Sequence, residues 1–367
     1  MFNRHVLSHS LTAVFASIGV SVALASQPLM IEQQGSFAAG GTLVEAKTTY
    51  DPYKPTPEGQ TLHGDHAYVS YQIPSHATGV PLVFLHGAGQ FSKTWDTTPD
   101  GREGFRTLFL RKGYPVYLVD QPRRGGAGRS THPGNIKADP DEGFWFGQFR
   151  MGLWPKFYSG SVFPQDPQSL DQFFRQMTPN TAPYDLKVNA AALTAVMEKT
   201  GKGVLVTHSQ GCGVGWFVGM QSDNIAGIAA WEPGSGFPFP KNEMPKPIPN
   251  HSFFGPMTGV EVTPEDFQKL TRFPIVIYYG DFIPDKAVDN PHTDYWRAAL
   301  QLAKQWAAVV NRHGGNVTVV HLPEVGIKGN SHFLFAEKNN EAVATLFSEW
   351  LTSHGFAKSA NQPTTTR

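Results

Sequence analysis

Ser209 stands in VLVTHSQGCG, residues 204–213, where an apolar run ends at a serine hemmed in by small residues. On a sharp strand-to-helix turn such a hydroxyl is exposed above a sheet, and its neighbours stay small so that backbones can pass closely. The usual pattern is Gly-x-Ser-x-Gly; here Thr207 replaces the first glycine and Gly211 keeps the second. To attack a carbonyl, the serine needs a base for its proton, a carboxylate to orient that base and donors for the anion that forms. Of the 14 histidines, His332 in GIKGNSHFLF fits the base, because it follows the last predicted strand and precedes the closing helix. His86, His208, His313 and His321 fit structural roles better. In FLHGAG, a strand ending at His86 and Gly87 frees the Ala88 amide, which with the Gln210 amide makes a pair of donors for an oxyanion. For the acid, Asp281 and Asp285 beyond PIVIYYG and Glu232 in IAAWEPGSG stand about level on spacing alone.

These residues need a scaffold that brings distant loops to one edge. VPLVFLHGAG and YPVYLVDQPRRGGAGRS read as strands covered on both faces, with a helix from Gly104 to Arg111 between them. The alternation resumes as helix Tyr184–Thr200, strand Gly203–Thr207, helix Gly213–Met220 and strand Ile225–Trp231. It ends as strand Phe273–Tyr279, helix Asp294–Arg312, strand Val317–Leu322 and helix Asn340–Ser353. GTLVEAKTTY and HAYVSYQIP are expected to pair as an antiparallel start. The fold class is therefore α/β, with a mainly parallel central sheet, helices on both faces and sites at the carboxyl ends of strands. Two long stretches interrupt the rhythm. Residues 131–183 are rich in aromatics and are expected to form a partly helical cap; residues 233–266 form a long loop. Phe144, Trp145, Trp154 and Phe157 are candidate pocket residues from the cap. Arg123 and Arg124 are expected to be solvated or paired with carboxylates, an anionic substrate being the alternative.

The segments HGAGQFSKTWDTTPDGREGFRTLFLRKGYPVYLVDQPRRGGAGRS, THSQG, WEPG and NSHFLF together resemble the α/β-hydrolase fold and, within it, the bacterial esterase 713-like group. The likeness runs from about Gly35 to Leu351. It implies Ser209 as nucleophile, His332 as base, and Ala88 and Gln210 as oxyanion amides. It also selects Glu232 as acid, with Asp281 in reserve. That group's adjacent cysteines after the His-Gly pair are replaced here by Ala88 and Gly89, which implies a softer oxyanion loop.

The 367 residues carry 30 Lys plus Arg and 30 Asp plus Glu, so no net charge or long basic run draws in nucleic acid. Arg4, the apolar run Leu11–Ala25 and Ala23-Leu24-Ala25 have the form of a secretory signal. The expected organisation is a signal at 1–25, a single hydrolase domain at 26–356 and a flexible tail at 357–367. The mature chain is expected to be periplasmic or secreted, with no stable membrane insertion after cleavage. Cys212 is the only cysteine, which excludes an intrachain disulfide. No cofactor or metal is expected. The expected partners are a small-molecule ester and, for assembly, a second copy in a homodimer. The expected activity is carboxylic ester hydrolysis through an acyl-enzyme. Alternatives on the same triad are amide, lactone or carbon–carbon bond hydrolysis, and a non-catalytic binding protein is the rival of another class.

Overall fold

The computed structural model describes residues 28–357, so the signal-like segment and nearly all of the expected tail lie outside the described residues. Eight strands form the central sheet: β1 (Ile31–Ala39), β2 (Ala67–Pro74), β3 (Leu82–Leu85), β4 (Val116–Asp120), β5 (Gly203–His208), β6 (Ile225–Trp231), β7 (Pro274–Tyr279) and β8 (Asn316–His321). Their spatial order is β1-β2-β4-β3-β5-β6-β7-β8. Only β2 runs antiparallel to its neighbours; the pairs from β4 through β8 are parallel.

Continuous apolar runs follow from burial on both faces, since successive side chains of a strand point to opposite sides. In β3, Val83 and Leu85 enter one core while Leu82 and Phe84 enter the other. Leu205 and its neighbours Val204 and Val206 divide the same way in β5. One core is covered by α4 (Leu186–Thr200), α5 (Gln210–Gln221) and α7 (Pro291–Arg312). The other is covered by α1 (Phe105–Arg111) and α8 (Asn340–Ser353). The start of α7 falls at Pro291, earlier than expected, because Asn290 caps the amides of His292 and Thr293 and proline suits the first helical position.

One expected pairing is corrected. The antiparallel partner of β2 is β1, whereas Thr42–Glu45 pairs with Thr61–Gly64 in a separate two-stranded ribbon. β1 is an edge strand and mostly exposed, so IEQQGSFAA lacks the apolar run that marks the inner strands.

The cap region contains α2 (Glu142–Gln148) and α3 (Pro167–Arg175). Its residues Phe146, Phe149, Met151, Phe163 and Phe173 are buried in the same core as α1 and α8. Residues 233–266 are mostly irregular, with a short parallel pairing of Pro238–Pro240 with Val260–Val262. α6 (Pro264–Lys269) begins at the end of this stretch. No helix among the described residues is long and apolar enough to cross a membrane.

Candidate active site

Ser209 follows β5 and caps α5 with φ 53° and ψ −121°, a strained conformation for a residue with a side chain. Its N–H donates to Trp231 O at 2.9 Å, tying the turn to the end of β6. Close packing explains the small neighbours. A Cβ on Gly211 would lie 2.5 Å from His86 O, and one on Gly87 would lie 2.7 Å from Ser209 Cβ. Thr207 is fully buried, and its room comes from the facing helix, because a Cβ on Gly215 would sit 2.9 Å from Thr207 Cγ2. The missing glycine of the turn pattern has in effect moved from strand to helix.

His332 lies on the loop after β8 and is completely buried. Its N–H donates to Phe149 O at 2.9 Å. Its ring stacks on Phe149 at 5.4 Å and 7°, with Trp296 at 4.4 Å and His208 at 4.5 Å on other sides. Nδ1 lies 3.2 Å from Glu232 Oε2, which places the proton on Nδ1 and leaves Nε2 as the acceptor. Nε2 has no hydrogen-bond partner among the described residues. His208 Nε2 donates to His332 O at 3.0 Å, which gives this histidine an anchoring role. Burial lowers the His332 pKa; Glu232 raises it and Arg150 lowers it again, leaving it below the ordinary value of 6.5. Under the loop, the buried Glu337 accepts the Ser331 amide and the Asn330 side-chain amide, and burial raises its pKa to about 7.

Glu232 immediately follows β6, has φ 56° and is wholly buried. Besides His332, its carboxylate accepts the Gly280 amide at 2.5 Å and a two-pronged ion pair from Arg150, at 2.8 and 2.6 Å. Burial alone would raise its pKa, but the Arg150 charge and the His332 contact reverse this and hold it at about 2. Asp281, the reserve, faces elsewhere. Its carboxylate accepts the amides of Gly329 and Phe282, at 2.8 and 2.7 Å.

The sequence alone does not single out Arg150. It belongs to the cap, is 0% exposed, has φ 55°, lies over the Trp296 ring and also donates from Nε to Asp281 O. The signal was present in GFWFGQFRMGLW: a lone cation in an aromatic run is buried only when paired.

Next to Ser209, Gly87 leads from β3 to Ala88, and Gln210 opens α5, where helix geometry leaves the first amides without intrahelical partners. Both residues line a cavity of about 390 Å³ with Gly89, Arg124, Trp145, Met177 and Asn180. Of the four candidate pocket residues, Trp145 lines this cavity. Phe144 packs against Phe253, Phe254 and His292, Trp154 is 51% exposed on a separate shallow surface, and Phe157 packs on Phe146 and Phe163. Arg123 meets the expectation for a paired arginine, holding Asp65 at 2.8 and 3.0 Å. Arg124 departs from it: it is buried, and its hydrogen bonds go to neutral oxygens. Cys212 is buried, with Sγ directed at Trp231 O, and burial pushes its thiol pKa up strongly.

A sequence profile described as the Alpha/beta hydrolase family matches residues 82–355. The chain belongs to the alpha/beta-hydrolase family. It is 30% identical over 322 residues to the "Probable secreted lipase phiG" of a fungus (Fungal sp., strain ATCC 74256), spanning 77% of this chain and 85% of that protein. Among solved structures, it is similar to one described as a novel bacterial esterase. That similarity has 27% identity and a TM-score of 0.71, and covers 90% of this chain and 98% of the other. This hydrolase is thus similar over most of its length to proteins named as a lipase and an esterase.

Proposed function

We propose that this hydrolase cleaves carboxylic esters through Ser209, His332 and Glu232, with the Ala88 and Gln210 amides receiving the oxyanion. Ester hydrolysis is the activity of the esterase and lipase type to which its relatives belong. The observation that carries the residue assignment is the buried Nδ1–carboxylate contact of His332 with Glu232, which leaves Nε2 without a hydrogen-bond partner among the described residues, in a ring that packs on His208, the residue before Ser209.

In this reading Ser209 Oγ bonds to the ester carbonyl carbon as its proton passes to His332 Nε2. The carbonyl electron pair moves onto oxygen, where the two amides meet it. On collapse the carbon–alkoxide bond breaks, and the alkoxide takes the proton from Nε2. Water then attacks the acyl-enzyme, giving its proton to Nε2, and Ser209 leaves with that proton as the acid is released. Glu232 keeps the Nδ1–H tautomer and favours the transient imidazolium.

The cavity beside Ala88 and Gln210 suits one substituent of the ester, with Trp145 and Met177 supplying apolar wall. We assign the chain to the esterase 713-like group and to a secreted or periplasmic setting, supported by the bacterial esterase structure and the fungal relative. Covalent labelling by a fluorophosphonate, with and without Ser209→Ala, tests the reading. Labelling and ester turnover should both vanish in S209A, and retained turnover would overturn it.

A further inference from the structure

Arg124 follows β4 and is buried, and all its hydrogen bonds end on neutral oxygens: Nε on Asn180 Oδ1 at 2.7 Å, Nη1 on Gly87 O at 2.7 Å and Nη2 on Gln210 Oε1 at 3.2 Å. No carboxylate pairs with it among the described residues. Asp120, the acid whose charge it senses, turns its two oxygens to the amides of Ser92 and Gly126. Burial of the guanidinium pulls its pKa down to about 10. A buried cation normally has an anion beside it, as Arg123 has Asp65, because desolvation is otherwise uncompensated.

Two of the three acceptors belong to the proposed oxyanion donors. In a trans peptide the C=O and N–H point in opposite directions, so holding Gly87 O aims the Ala88 amide the other way. Two donors hold that oxygen. One is Arg124 Nη1; the other is His86 Nδ1 at 3.0 Å, protonated there because His86 Nε2 accepts the Gln121 amide. The Gln210 contact steadies the first residue of α5. Arg124, Ala88 and Gln210 share one cavity wall.

We propose that Arg124 is the positioning residue of the oxyanion site and that its missing counter-ion is the tetrahedral anion formed on Ser209. This rests on the reading of Ser209, Ala88 and Gln210 given above. The guanidinium stands within roughly 8 Å of an oxygen held by both amides, given ordinary peptide and hydrogen-bond lengths. A neutral ester leaves that charge unanswered, whereas the transition state answers it, so the gain falls on turnover more than on substrate binding.

The test compares wild type, R124M, R124K and S209A on a p-nitrophenyl ester, with the rates of the Ser209-bearing forms referred to phosphonate-titratable serine, that of S209A to protein concentration, and inhibition measured with a trifluoromethyl ketone. R124M should lose about 10- to 100-fold in kcat with KM changed less than about threefold. Its affinity for the ketone should fall by the same factor as kcat/KM, and R124K should recover part of both. Unchanged kcat and ketone affinity in R124M would overturn the proposal, as would equal losses for substrate and ketone with no recovery in R124K. If R124M does not fold, R124K decides alone: ketone affinity must fall more than KM rises, and the reverse overturns the proposal. Turnover retained by S209A would sink the Ser209 reading itself; an inactive S209A beside an unaffected R124M would sink only the role of Arg124.

Discussion

Arg150 and Arg124 are both buried, one beside Glu232 and the other beside Gly87 and Gln210, yet one grips a carboxylate with both its Nη atoms and the other meets only carbonyl and amide oxygens. On the acid side the charges cancel in the resting protein: Arg150 and Glu232 form a closed pair, and His332 shares one carboxylate oxygen with it. On the oxyanion side one charge is left over. The difference teaches that the two halves hold their geometry by different means, the first through electrostatic satisfaction within the fold and the second, in the proposed reading, through a charge whose partner arises only in the reaction.

Experiments can break that contrast. The largest effect belongs to the acid: E232A should lower kcat by about 10⁴-fold, while D281A disturbs only the loop amides it holds, and the reverse ranking would overturn the assignment. Next, R150M leaves Glu232 buried without its cation and should cost about 3–5 kcal/mol in urea unfolding. The double variant R150M/E232L should regain much of that stability and none of the activity. R124M, by contrast, removes an uncompensated charge and should change stability by no more than about 1–2 kcal/mol, so equal losses for R124M and R150M would erase the distinction.

The pH dependence follows the same division. His332 is faced by Glu232, Arg150 and the neutral His208, and its pKa lies below 6.5, so the acidic limb of kcat/KM should fall below pH 6.5 and move upward in R150M. Glu232 has a folded pKa depressed to about 2, so its contribution to stability is full above about 4.5 and lost as pH falls toward 2. Glu337 has the opposite sign: raised to about 7, it weakens the fold as pH rises from about 4.5 through 7, and E337Q should flatten that part of a melting-temperature profile. A last test addresses the serine turn. G215A should cost about 1–3 kcal/mol by crowding Thr207 Cγ2, and T207S/G215A should recover most of it, because serine lacks that methyl.

Much of this was legible in the chain. The inner strands show as apolar runs, and Ile225–Trp231 and Asn340–Ser353 have the bounds read from sequence. Ser209 and His332 are marked by their order among the elements. Glu232 was one of three acids level on spacing, and only the resemblance separated it, because strand ends do not say which carboxylate turns toward a histidine 100 residues later. β1 was missed because an edge strand has little to bury. Arg150 is not marked in the sequence because its partner is 82 residues away and it lies itself outside any helix or strand, after α2.

The link from Phe149 and Arg150 to His332 and Glu232 also bears on how such enzymes can be recombined. Exchanging residues 131–183 with a relative's would remove the ring stacked on the histidine and the counter-ion of the acid together with any substrate contacts. In this chain the insertion is no interchangeable accessory, and grafts that aim to alter selectivity must leave the 148–151 stretch with its host.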